Sequence, residues 1–428
     1  MVENPQNQQA QPALHDVSGA PLPPPPAYGR NSIADVLESV SSLVAQGSLA
    51  RPAHPLDDNP AFHSSADPLN LAQRLAERGV DPKSFRHACV IMVDGLGEEL
   101  LNRYAGYAPA LRKALNLGPL DAAFPTTTAA SLSSLGTGTA PGAHGIAGYE
   151  VRNPAGNGGE GSIMNHLSGW DQSVDPHEWQ PLSTVLERHQ ENRRVLTISL
   201  GKYRGTGLTE AGLRGGEFVD AQGFNARVTY ALEALSSRTP TTVYLYWGEL
   251  DAAGHRYGVG SEEWLQQLEE LNSAVKRLSE RAPAWAALFV TADHGMVNVP
   301  EAHRVDYSEV EKLTRNVVMT AGEPRAVHLY LEDTSDTVRA ATASRWAEYW
   351  GERAWVIDSR ELEAAGYFGP VVTDAARSRI GDLMVCARND WALYDMRHYQ
   401  EHALHMVGQH GSLTEVERLV PLRLLPTA

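Results

Sequence analysis

Five short segments of this 428-residue chain carry side chains that can do metal-assisted phosphoryl chemistry. They are Val-Asp-Gly-Leu-Gly (93–97), Phe-Pro-Thr-Thr-Thr (124–128), Glu-Leu-Asp-Ala-Ala-Gly-His (249–255), Thr-Ala-Asp-His-Gly (291–295) and Gly-Gln-His-Gly (408–411). Asp94, Asp251, His255, Asp293, His294 and His410 offer carboxylate oxygens and imidazole nitrogens, the ordinary ligands of zinc. One of Thr126, Thr127 and Thr128 adds a hydroxyl, which becomes a competent nucleophile beside a cation. Six ligands and one hydroxyl are the parts of a two-zinc phosphoryl-transfer centre.

Each segment has its own logic. Asp94 ends an apolar run and is followed by Gly95 and Gly97, so a carboxylate emerges at a strand's end where glycines let a ligand come close. Pro125 and the three threonines precede the small-residue helical pattern Ala-Ala-Ser-Leu-Ser-Ser-Leu, and a helix start offers free N–H groups and the positive end of the dipole. Asp251 and His255 are four apart, on one face of a helical turn. Asp293 and His294 are adjacent, so joint ligation needs the chain to turn, which Gly295 permits. His410 sits in a glycine-flanked loop. Taken singly, these are also a turn former, a helix cap, a surface pair and an exposed histidine; together, with most of them beyond an apolar run, they point to one site.

The elements that must position them are strand-like runs at 88–93, 195–200, 242–247 and 286–291, separated by helical patterns. Strands alternating with helices predict a mostly parallel α/β sheet with helices on both faces. Past Asp293, a strand at 325–331, a helix at 337–350 and a strand at 354–358 predict a small inserted α+β lid over about 303–375. Residues 1–30, rich in Gln, Pro and Ala with four prolines at 23–26, read as a flexible tail. Ile33, Val36, Leu37, Val40, Leu43 and Val44 recur at helical spacing, so 31–58 reads as an amphipathic helix and linker, and 59–428 as the catalytic domain. No internal repeat is evident.

Composition narrows the partners. A net charge of -16 excludes broad binding to nucleic-acid backbones, which needs clustered Lys and Arg, so any bound phosphate is met by metal ions. No apolar stretch approaches the roughly 20 residues of a membrane span, and the first residues lack a secretory pattern, so the expected location is cytoplasmic with no membrane partner. Cys89 and Cys386 lie in apolar runs and read as reduced, buried thiols. A small-molecule phosphate ester is the expected partner.

The ordered segments resemble the alkaline phosphatase superfamily, most closely its nucleotide pyrophosphatase/phosphodiesterase branch, with its Pro-Thr-x-Thr, Asp-x-x-x-His, Asp-His-Gly and Gly-x-His-Gly motifs. The likeness covers roughly 88–421 and includes Thr137-Gly138 and His144-Gly145-Ile146. It implies an alkaline phosphatase-like fold, one zinc among Asp94, Thr128, Asp293 and His294, and a second among Asp251, His255 and His410. It further implies Thr128 as the nucleophile of a covalent phospho-threonine route through phosphodiester or pyrophosphate bonds. Phosphomonoesters and phosphonates stand as alternative substrates, and a non-catalytic metal-binding protein as the contrasting class. Sulfatases need a modifiable Cys or Ser in a Cys-x-Pro-x-Arg context, which is absent, and the Ser segment of the phosphomutases is absent too. Where the branch carries a phosphate-binding Asn, this chain has Tyr149. The expected substrate contacts are Tyr149, Asn165 and Lys202, with Asn153, Trp170, Trp179 and Tyr203 nearby.

Overall fold

The computed structural model describes residues 13–45, 54, 56–59, 62, 65–159, 161–399 and 401–427, with the side chains of 157 and 402 left aside. The outermost part of the expected tail (1–12) and most of the expected linker (46–53) lie outside the described residues.

A seven-stranded sheet forms the centre, in the order Leu115–Asp121, Leu419–Leu425, Ala286–Thr291, His87–Val93, Thr241–Trp247, Arg194–Ser199, Glu217–Asp220. Only Leu419–Leu425 runs antiparallel to its neighbours. The expected mostly parallel α/β sheet is therefore present. His87–Val93 and Ala286–Thr291 are buried along their whole length, which is why they read as continuous apolar runs and not as alternating ones. Helices Gly223–Leu235 and Val36–Val44 pack on the central strand, and Ile33, Val36, Leu37, Val40, Leu43 and Val44 all enter the main core. Each such aliphatic burial stabilises the fold by roughly 1.5–3 kcal/mol.

The stretch expected as a lid contributes to a four-stranded antiparallel sheet in the order Val317–Glu323, Ala326–Leu331, Leu383–Ala387, Ala354–Asp358. Helix Asp336–Trp350 covers it, burying Trp346 and Trp350 against Leu329, Val356 and Val385. The sheet runs past residue 375. Its third strand returns after helix Asp374–Arg379 and pairs with two partners far away in sequence, a relation local pattern does not carry.

The flexible-tail reading does not hold for residues 13–30. They lie along the lid, with Leu22 5% exposed inside an apolar cluster and Val17 N–H donating to Val356 O at 3.1 Å. The segment builds no core of its own; it completes one already built, so its low apolar content is no obstacle. No helix among the described residues is long and apolar enough to cross a membrane.

Candidate active site

Strand register explains the convergence. Val93 is level with Trp247, and Met92 with both Tyr246 and Thr291, so three parallel strands end together and Asp94, Asp251 and Asp293 emerge at one carboxyl edge. Asp94 N–H donates to Trp247 O at 2.9 Å, tying two of these ends. Gly95 has φ +74°, and a Cβ there would come within 3.1 Å of Asp251 Oδ1, so the crossing needs glycine.

Asp94, Asp293 and His294 form one tight group of potential metal ligands, and Asp251, His294 and His410 another, with donor atoms in each group within 4.8 Å of one another. His294 belongs to both. His255 falls outside these two groups but is adjacent, its Nε2 3.4 Å from Asp251 Oδ2. Thr128 opens helix Thr128–Thr137, and its Oγ1 lies 3.1 Å from His294 Nε2. Thr126 and Thr127 take other duties: the Thr126 hydroxyl donates to Ser412 O at 2.8 Å, and Thr127 is the helix cap residue.

All three histidines are held the same way. His294 Nδ1 lies 3.0 Å from Gly295 O, His255 Nδ1 2.7 Å from Gly408 O, and His410 Nδ1 2.9 Å from Thr126 O. A ring N–H donated to a carbonyl leaves Nε2 as the free lone pair facing the site, the orientation that metal-binding histidines take. The His294 and His410 rings stack with centroids 3.6 Å apart.

The carboxylates are left half-satisfied. Asp293 Oδ1 accepts from Gly95 N–H at 3.1 Å and from His294 N–H at 3.0 Å, and Asp94 Oδ2 accepts from the Tyr246 hydroxyl. Asp94 Oδ1, Asp293 Oδ2 and Asp251 Oδ1 are buried without any hydrogen-bond partner. Burial, then the charges of Asp293 and Asp251, hold the Asp94 carboxyl well above the usual range, and Asp293 is raised mainly by burial. His410 is pushed well below its ordinary value by burial and by His294 and His255. Three orphaned carboxylate oxygens beside imidazole nitrogens are costly alone and are what divalent cations satisfy. The residues fit a metal centre.

The site opens into a cavity of about 490 Å³ whose walls include Tyr149, Leu132, Tyr203, Leu208, Phe218, Tyr246, Tyr399 and Met406. Thr128, Asp94, Asp251, His255 and His410 form its floor. Among the described residues, no Lys or Arg lines it.

The expected substrate contacts divide. Tyr149 lines the cavity, its hydroxyl engaged by Asn165 and Ser168. Asn165 does not reach it: the amide donates to Glu150 Oε1 at 3.1 Å, and Oδ1 accepts from Leu167 and Ser168 N–H in a tight turn. Lys202 is exposed with Nζ 4.8 Å from the Tyr203 ring centroid, away from the cavity wall. Asn153 caps a turn through Ala155 N–H, and Trp170 and Trp179 pack in a small apolar cluster with Met164 and Ile146. Three wall residues escaped the sequence reading. Tyr246 and Tyr244 alternate along one strand, so period-two spacing alone puts both on one face. Glu323 arrives from the lid and carries no local signal; burial, then Glu417, raises its carboxyl, and Oε2 lies 3.5 Å from His410 Nδ1.

Comparison with known proteins gives the family and the fold. The family model for type I phosphodiesterase / nucleotide pyrophosphatase matches residues 88–413. Among solved structures, murine ectonucleotide pyrophosphatase / phosphodiesterase 5 is similar at 17% identity and TM-score 0.60. An inactive form of it in complex with AMP is similar at 16% identity and TM-score 0.60. The human counterpart is similar at 15% identity and TM-score 0.61. All three cover 80% of this chain, which covers 88% of each. No curated protein matches the chain in sequence. With its alkaline phosphatase-like fold, the chain belongs to the type I phosphodiesterase / nucleotide pyrophosphatase family and is a phosphodiesterase-type, phosphoryl-transfer hydrolase.

Proposed function

We propose that the protein hydrolyses phosphodiester or pyrophosphate bonds by way of a covalent phospho-threonine at Thr128. The observation that carries this is Thr128 Oγ1 at a helix start, 3.1 Å from His294 Nε2 and beside buried carboxylate oxygens that lack partners. Two zinc ions, one held by Asp94, Asp293, His294 and Thr128 and one by Asp251, His255 and His410, would supply Lewis-acid charge that acidifies the threonine hydroxyl and offsets charge on the departing oxygen.

Thr128 Oγ1 attacks phosphorus in line with the leaving oxygen; a P–O bond to Thr128 forms as the bond to the leaving alcohol or phosphate breaks. Water then attacks the phospho-threonine and frees the hydroxyl. Thr127 makes no side-chain cap, so the first N–H groups of helix Thr128–Thr137 are free for a non-bridging oxygen, and the Tyr149 hydroxyl can donate to a second one. Tyr246 holds Asp94, and Gly295, Gly408 and Thr126 hold the histidine rings through their carbonyls.

The absence of Lys and Arg from the cavity wall among the described residues favours a diester over a monoester. A diester carries one negative charge, whereas a monoester dianion demands extra positive charge from its site. A nucleotide is a reasonable substrate: one structural neighbour was solved with AMP, and the cavity is large and mostly apolar. Turnover of bis(p-nitrophenyl) phosphate should vanish with a chelator, return with zinc, and exceed that of p-nitrophenyl phosphate at pH 7.5. A chelator-resistant rate, or a faster monoesterase, would contradict the reading.

A further inference from the structure

The proposed chemistry leaves the N-terminal segment without a task. Residues 13–31 first follow the outer edge of lid strand Ala354–Asp358: Val17 N–H donates to Val356 O at 3.1 Å, and Trp355 Nε1–H to Pro21 O at 3.2 Å. The Tyr367 hydroxyl donates to Pro23 O. The chain then crosses to the main domain, where Ala27 N–H donates to Asp121 Oδ2 at 3.1 Å and Asp121 N–H returns to Asn31 O at 3.0 Å.

At the crossing stands Tyr28. Its hydroxyl accepts from Phe124 N–H at 3.0 Å and donates to Tyr367 O at 3.2 Å, so one group joins segment, lid and the loop that leads to Thr128. Burial raises this hydroxyl, which stays protonated and able to do both. The Phe124 ring lies between Tyr367 and Phe368 of the lid, each 5.5 Å away centroid to centroid. Leu22 fills the same apolar cluster as Phe124 and Leu413. Phe124 is four residues before Thr128, and Leu413 three after His410. The two loops that bring nucleophile and ligand to the cavity thus share one packed unit with the N-terminal segment.

We propose that residues 13–31 are a strap that fixes the nucleophile loop, and that Tyr28 is its positioning residue. The reason is geometric: without the Tyr28 oxygen, Phe124 N–H is buried unpaired, and the loop relieves this by shifting toward water. A displacement well under the length of a bond at Thr128 spoils in-line attack while leaving the metal ligands on their own strands. This inference rests on Thr128 being the nucleophile.

The test is Tyr28→Phe in the full-length protein, with amide exchange over 120–128, metal content, and kcat and KM for bis(p-nitrophenyl) phosphate. The strap predicts faster exchange over that loop, unchanged metal content, a KM within about twofold and a kcat lowered about tenfold. Wild-type kcat in folded Tyr28→Phe overturns the proposal, as does a change confined to thermal stability. Should that variant fail to fold, Leu22→Ala loosens the strap from the lid side and must lower kcat in the same way; wild-type kcat there overturns the proposal equally. Thr128→Ala run beside them separates the two ideas. Full turnover in Thr128→Ala removes the nucleophile assignment itself, whereas a dead Thr128→Ala with a wild-type Tyr28→Phe removes the strap alone.

Discussion

Thr128 is one of three consecutive threonines, and the fold gives each a different neighbour: Ser412 O for Thr126, the cap position for Thr127, His294 for Thr128. Around it, Tyr246 is the contact with the clearest consequence, because it occupies one oxygen of Asp94 and leaves the other for a cation. Tyr246→Phe should weaken metal affinity about 10–100-fold, the usual effect of losing a partner behind a ligand, read as activity against buffered zinc. An unshifted zinc dependence would show that the bond is incidental. Tyr149→Phe should lower kcat/KM about tenfold if its hydroxyl meets a non-bridging oxygen, while Lys202→Ala should leave kcat/KM for the same diester unchanged. The reverse pattern would place the substrate on the other side of the cavity. Asp94, Thr128, Asp251, Asp293, His294 and His410 were legible because acid, hydroxyl and imidazole each have a residue signature next to a strand or helix start. Asn165 and Lys202 were misplaced because which way a loop side chain turns depends on hydrogen bonds, here to Glu150 and the 165–168 turn, that only the folded chain defines.

The strands of the central sheet could be read from apolar runs, and their parallel register follows from the helices between them. The lid could be read only in part. Its strands Ala326–Leu331 and Ala354–Asp358 are locally clear, but both pair with Leu383–Ala387, and the tip at 323–325 reaches the catalytic loops from afar. There, Arg325 and Glu417 form a fully buried pair at 2.7 Å, and the same Glu417 carboxylate accepts Ser412 N–H while its carbonyl accepts Gly295 N–H. Gly411, with φ +127° and a would-be Cβ 2.7 Å from Glu323, lets the two loops meet. Arg325→Met should cost about 3–5 kcal/mol in urea unfolding, since it strands a buried carboxylate. A loss below about 1 kcal/mol would mean that the pair is solvated in practice.

His144, which meets Ser134 of helix Thr128–Thr137, and His166 and His328 are buried and held neutral: burial lowers His144 to about 3 and the other two to about 4. Their folded values lie below the unfolded 6.5, so the unfolded chain takes up protons first as pH falls. The stability they contribute is complete above about pH 6.5 and drains away toward pH 4, by up to about 1.4 kcal/mol per pH unit for each ring. Urea unfolding at pH 7 and pH 5 should show this loss, and His166→Gln should make it shallower. Equal slopes in the two proteins would contradict burial as the cause.

At the scale of the whole molecule, a mostly parallel sheet presents its carboxyl edge, the second sheet reaches the cavity there through Glu323 and Pro324, and the proposed strap joins the two. The central claim is that the hydroxyl at one helix start carries the phosphoryl group, while the carboxylate and imidazole ligands suffice to hold the metal when that hydroxyl is removed. Thr128→Ala tests this most directly, with bound metal counted by elemental analysis and diester turnover measured on the same sample. The account predicts metal content equal to that of the unsubstituted protein and turnover reduced by at least about a thousandfold. Full turnover in that variant would contradict it.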